Sequence, residues 1–287
     1  MVDINKIQKM AEQGEDQTVA TKGSGKPFDM PKAGTAMLRL VSYIEIGEHT
    51  KKFTGKPDKD VPQVMLQFEL LGKNYPATAP ETDEHQARET PFIITITENK
   101  FLSEKANFFK LFTKMNQDYD VKHMSSLVGK EFLGTVVLTE PDANGRVYAN
   151  LRDTNGYTIR PPYIDADDGE GGVERKRINV PKAVTPLKIF LWDYADQEQW
   201  DSLFIDGVFN PKKDDKGNVI AEGKSKNWIQ ERILAAKNFK NSPVAAVVAG
   251  GDSLDLDGAE TPPRGDPLDI EEGGVKQEYD LNDDIPF

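Results

Sequence analysis

The sequence predicts a mainly β protein with accessory helices, and three observations predict it. Apolar residues alternate with period two in three early runs. A stretch with helical period then breaks the alternation, and two more strand-like runs follow, separated by an Asn-Gly turn. The expected order is three strands, one helix, two strands, with elaborations towards the C-terminus.

Residues 1–34 read as a flexible polar lead-in, with a short helix near Ile4–Met10 and a loose stretch at Thr21–Lys26. The first strand is expected over Thr35–Glu48. Leu38, Leu40, Ile44 and Ile46 would share its buried face, and Arg39, Val41, Tyr43 and Glu45 the outward one. A basic loop, Lys51–Lys59, leads to a second strand over Gln63–Leu71, with Val64, Leu66, Phe68 and Leu70 on one face. Gly72–Pro91 is a polar, proline-containing excursion, and Phe92–Thr97 a β-branched third strand. Ser103 is the expected N-cap of a helix whose apolar face is Phe108, Leu111, Phe112 and Met115. Strands four and five are expected at Phe132–Thr139 and Arg146–Arg152, around the turn Pro141–Gly145. An OB-fold is a five-stranded Greek-key barrel. Its helix stands between the third and fourth strands, and residues 35–160 carry that order.

Residues 161–243 are expected as elaborations packed on this core. They hold an acidic glycine loop (Asp165–Gly172), a basic run Arg175–Arg177 expected as a solvated loop, and a strand-like run Leu187–Trp192. Two helices are expected, Ala195–Phe204 burying Trp200, Leu203 and Phe204, and Lys226–Phe239 burying Ile229, Ile233 and Ala236. Trp192, Trp200 and Trp228 sit in apolar-periodic contexts and suit a core. Residues 244–287 are too poor in apolar area to offset the entropy of ordering and read as a disordered acidic tail.

Charge is partitioned along the chain. The formal net charge is −12, but Gly250–Phe287 alone holds 12 acidic residues against Arg264 and Lys276, a net of −10. The remainder carries 36 acidic and 34 basic residues, a net of −2. A near-neutral body can still present a basic groove if its charges segregate in space. The absence of cysteine excludes disulfides, thiolate metal sites and cysteine nucleophiles. No apolar run reaches the ~20 residues that cross a bilayer, and residues 1–15 lack a signal-peptide core, so the cytoplasm is the expected location.

The chain ends Asp280-Leu281-Asn282-Asp283-Asp284-Ile285-Pro286-Phe287. Phe287 could fill an apolar pocket whose basic rim meets Asp283, Asp284 and the α-carboxylate, with Ile285 beside it and Pro286 lowering the ordering cost. This tip resembles that of bacterial single-stranded DNA-binding proteins, which end in acidic residues followed by Ile-Pro-Phe. The long body looks more like the enlarged single-stranded DNA-binding proteins of tailed bacteriophages. The resemblance implies an OB-fold that coats single strands in DNA replication, recombination or repair. It also implies a tail that docks polymerase, primase, helicase or nuclease partners, in the host bacterial cytoplasm if phage-encoded.

Single strands are held by cations on phosphates and aromatic faces on bases. Candidate contacts are Lys51, Lys52, Phe53, Lys56 and Lys59 in the basic loop, and Arg146, Tyr148 and Arg152 on the outward face of the fifth strand. Arg39 and Tyr43 on the first strand would extend that surface, and Tyr157 and Arg160 would line its edge. No catalytic residue, cofactor or metal is expected. The Gly-Ser-Gly-Lys at 23–26 lacks the remaining P-loop positions, and the three histidines show no ligand spacing. Two alternatives stay open: a metal-dependent nuclease using Asp193 and Asp196, and an acidic-tailed scaffold protein that binds no DNA.

Overall fold

The computed structural model describes residues 29–250, apart from 54, 144, 168, 170–171, 210, 214–218 and 222. The lead-in over 1–28 and the acidic tail from 251 lie outside the described residues. Strands β1 (Gly34–Phe53), β2 (Lys56–Leu71), β3 (Ile93–Asn99), β4 (Glu131–Leu138) and β5 (Ala149–Asn150) form one sheet in the order β3-β2-β1-β4-β5. Helix α1 (Asn107–Met115) stands between β3 and β4. A later strand, β10 (Lys188–Phe190), joins the sheet parallel to β1. The whole is a curled, largely antiparallel half-barrel with few helices. Its concave core takes Leu38, Leu40 and Tyr43 from β1, and Val64, Leu66, Phe68 and Leu70 from β2. Ile94, Ile96, Phe132, and Phe108, Leu111 and Met115 of α1 complete it.

The β1–β2 register shifts at three places, Leu40/Ser42, Glu45/Gly47 and Lys51/Phe53, and the first of them changes the expected facing of β1. Leu40 pairs with Phe68 but Ser42 pairs with Gln67, so Val41 is an extra residue, a β-bulge. One inserted residue reverses which way the side chains point as far as the next register shift, between Glu45 and Gly47. Tyr43 therefore follows Leu38 and Leu40 into the concave core, while Ile44 and Ile46 turn to the convex side. There they meet Met65, Phe190, Trp192, Leu203, Ile229, Ile233, Val244 and Val247, with Trp200 and Trp228 packed at the margin. Both faces of β1 are thus covered, and Leu40–Gly47 is buried without interruption. Glu45 is enclosed here too, and its carboxylate accepts from Tyr43 Oη at 2.8 Å, Lys100 Nζ at 2.7 Å and the Trp192 amide at 3.0 Å.

The second core is built by the C-terminal region. Helices α2 (Gln197–Leu203), α3 (Trp228–Leu234) and α4 (Pro243–Val248) are shorter than expected or unexpected. Phe204 ends α2 and is 56% exposed instead of buried, and α4 occupies residues assigned to the tail. Ser242 caps α4 by accepting from the Ala245 amide, and Val244 and Val247 reach the second core, which holds this segment in place. Ser103 does not cap α1, which begins after Ala106 without a side-chain cap. Gly47 marks where the second core closes on the sheet. Its φ is +79° and a Cβ there would stand 2.4 Å from the Trp192 ring. Gly47→Ala is expected to cost about 2 kcal/mol or more, read as a lower urea midpoint; an unchanged midpoint would contradict this close approach.

Candidate nucleic-acid interface

The lysines from 51 to 59 are not on an open loop. β1 and β2 stay paired out to Lys51↔Lys59 and Phe53↔Lys56, leaving only residues 54 and 55 between the strands. β-Pairing wins because Thr50 donates to Asp60 at 2.5 Å across the ladder and Gly55, at φ +74°, makes the tight turn. The lysines are therefore presented on a two-stranded arm. Lys52, Pro57 and Asp58 are exposed and Lys51 and Lys59 half-buried. The side chains of Phe53 and Lys56 lie outside what is described.

This arm runs into the convex face of β2 and β3, where alternation places Gln63 and Gln67 opposite the core residues of β2. Thr95, Thr97 and Asn99 share that face on β3. Gln67 Nε2 lies 3.4 Å from Thr95 Oγ1, Gln63 Nε2 lies 3.5 Å from Asn99 Oδ1, and Arg232 donates to Gln63 at 3.3 Å. The result is a row of amides and hydroxyls along β3, with Gln63 and Gln67 of β2 on either side of the covered Met65, beside a basic arm. Sequence reasoning missed this stripe, although its signal was present. Of the outward residues of β2, Gln63 and Gln67 are half-buried, while Met65 lies in the second core and Glu69 is buried, accepting from the Val184 and Thr185 amides.

Arg39 and Tyr43 do not belong to this surface. The bulge at Val41 puts Tyr43 in the concave core, edge-on to His123 at 5.2 Å, and burial pushes its hydroxyl far above the usual range. Arg39 is spent on structure. Its guanidinium donates to the carbonyls of Gly129, Val180 and Pro181 at 2.5–2.7 Å and pairs with Glu131 at 3.1 Å, clamping the 180–181 segment onto the sheet.

The fifth strand is shorter than expected. β5 pairs with β4 only at Ala149 and Asn150, because Asn150 Oδ1 accepts from the Arg152 amide at 2.7 Å and turns the chain. The face expected to carry Arg146, Tyr148 and Arg152 is split. Arg146 and Tyr148 flank Asp142, which accepts from the Arg146 amide at 2.8 Å and from Tyr148 Oη at 3.3 Å. Arg152 opens a small hairpin, β6 (Arg152–Asp153) with β7 (Gly156–Tyr157), and its guanidinium lies 5.2 Å from the Tyr157 ring centre. Tyr157 Oη donates to Glu98 of β3 at 2.5 Å. Arg160 pairs through its backbone with Leu133 of β4, and its guanidinium donates to the Tyr163 carbonyl.

Arg175–Arg177 is a strand, β9 (Val173–Arg177), paired with β8 (Tyr163–Asp167), and not a loop. Asp165 and Asp167, expected in the acidic loop, lie in β8. Arg175 pairs with Asp118 at 3.1 Å and Arg177 with Glu131 at 2.8 Å, and both guanidinium groups lie over the Tyr163 ring. Asp196 caps α2 by accepting from the Gln199 amide at 2.7 Å, while Asp193 sits in a 3-10 turn, Trp192–Tyr194. Among the described residues no group of three or more His, Asp or Glu takes a metal-holding arrangement. No described helix is long and apolar enough to cross a membrane. Asp283–Phe287 lie outside the described residues.

Compared with known proteins, the chain matches no family model, no curated protein and no solved structure.

Proposed function

We propose that this protein binds single-stranded DNA with little sequence preference, protects it during replication, recombination or repair, and recruits partner proteins through its acidic C-terminal tip. The observation that carries the reading is the basic β1–β2 arm adjoining the polar convex face of β3, with Gln63 and Gln67 of β2 beside it. In an OB-type barrel this is the strand face, flanked by the loop after the first strand, that takes oligonucleotides. Lys51, Lys52, Lys56 and Lys59 meet phosphates, Phe53 stacks on a base, and the Gln/Thr/Asn stripe offers hydrogen bonds that tolerate any sequence. From the register with β2 and β4, the 141–146 turn stands at the opposite end of β1 from the arm tip. Arg146 and Tyr148 can therefore hold the far end of a bound strand.

The test is an electrophoretic shift on oligo(dT) and on duplex of equal length, using the full chain. Preferential retention of the single strand is expected, weakening as salt rises. No retention even at low salt would instead favour the acidic-tailed scaffold. The tail adds a second expectation. Ten net negative charges tethered to the body compete with DNA for the arm. Deleting residues 251–287, which leaves α4 whole, should tighten oligo(dT) binding at low salt. Deleting Phe287 alone should abolish partner capture and leave DNA affinity unchanged. A truncated chain that binds DNA no more tightly than the full chain would contradict the competition.

A further inference from the structure

Glu98 is the last inward-facing residue of β3, on the same face as Ile94 and Ile96, at the rim of the barrel core. Its side chain is only 8% exposed, yet it is a carboxylate held by two donors of another segment. Tyr157 Oη donates to Glu98 Oε1 at 2.5 Å, and Arg152 Nη1 lies 3.6 Å from the same oxygen. The Arg152 guanidinium also faces the Tyr157 ring, and Lys114 Nζ donates to the Tyr157 carbonyl at 2.5 Å. No backbone pairing among the described strands joins β3 to β6 or β7, and these side-chain contacts span the seam. Arginine N–H and phenol O–H are also the donors that a phosphodiester takes, and a carboxylate has the same single negative charge.

We propose that Glu98 is an internal stand-in for a DNA phosphate. It holds Arg152 and Tyr157 in phosphate-binding posture in the free protein and yields them to a backbone phosphate when a strand loads. This rests on the single-strand-binding reading above and adds a separate contact at the rim of the concave core, on the face of β3 opposite Thr95 and Thr97. The exchange has a thermodynamic signature. A cation already neutralised by Glu98 contributes little to the salt dependence, because the carboxylate released to water gathers a counter-ion as the phosphate loses one. Removing the carboxylate charge turns Arg152 into an ordinary phosphate contact, worth a slope of about 0.7 in log K against log salt.

The experiment compares oligo(dT) binding by fluorescence anisotropy between 50 and 300 mM salt for the full chain and Glu98→Gln, an isosteric change. Exchange predicts a slope steeper by about 0.7 and binding several-fold tighter at the lowest salt. An unchanged slope, or weaker binding, overturns it. Where Glu98→Gln does not fold, Arg152→Gln carries the test in the otherwise native chain. Weaker binding with an unchanged slope is then expected, and a slope shallower by about 0.7, or an unchanged affinity, overturns the exchange. Native protein that binds while Glu98→Gln leaves the slope unmoved sinks the exchange alone. Native protein that does not bind oligo(dT) sinks both readings.

Discussion

Replacing Lys51, Lys52, Lys56 and Lys59 together with glutamine should cause the largest loss of DNA binding of any change in the folded body. Each lysine that meets a phosphate contributes about 0.7 to the salt slope, so the slope should fall by as much as roughly 2.8. The fold should survive, because none of the described side chains of the arm beyond Val61 belongs to either core. An unchanged circular dichroism spectrum and urea midpoint would verify that. Phe53→Ala tests the other half of the arm's chemistry. Loss of one stacked base costs about 1–3 kcal/mol, with little effect on the slope. A quadruple variant that keeps the native slope would remove the arm from the interface.

The largest effect on stability is expected from Glu45→Ala. The carboxylate is enclosed between the two cores, and three donors converge on it from β1, from Lys100 after β3 and from the Trp192 backbone. Removing the acceptor strands Tyr43 Oη and the Trp192 amide inside the protein, each at a cost of about 1–3 kcal/mol. Lys100 is 31% exposed and recovers part of its hydration. A total near 3 kcal/mol is expected, measured as the change in urea unfolding free energy. Glu45→Gln, which keeps an acceptor, should lose less than Glu45→Ala. Equal losses would mean that the charge, and not the hydrogen bonding, holds the two cores together.

The order of strands and the central helix was legible because period two and period 3.6 are written plainly in the early half of the chain. Phe108, Leu111 and Met115 needed only their spacing to be placed. What the sequence hid were local devices. The bulge at Val41 leaves no mark in the alternation of Leu38–Ile46, yet it moves Tyr43 from the surface to the core. Arg39 looks like any outward arginine until Val180 and Pro181, about 140 residues later, bring carbonyls to it. β5 stops at Asn150 through a side-chain turn that competes with the ladder. The second core hides the convex face of β1 and also Met65 of β2, which leaves the convex face of β3, where Thr97 is exposed, as the open part of the candidate surface. The seam at Glu98 was invisible for the same reason, since its partners are more than 50 residues away in sequence.

Photo-crosslinking would locate the bound strand directly. A 5-iododeoxyuridine oligonucleotide is irradiated on the full chain, digested, and the adduct peptides are read by mass spectrometry. Adducts are predicted in the peptides that hold the lysine arm, 51–60, and the convex edge of β3, 93–99. Adducts confined to the 163–177 hairpin or the C-terminal helices would contradict the assignment.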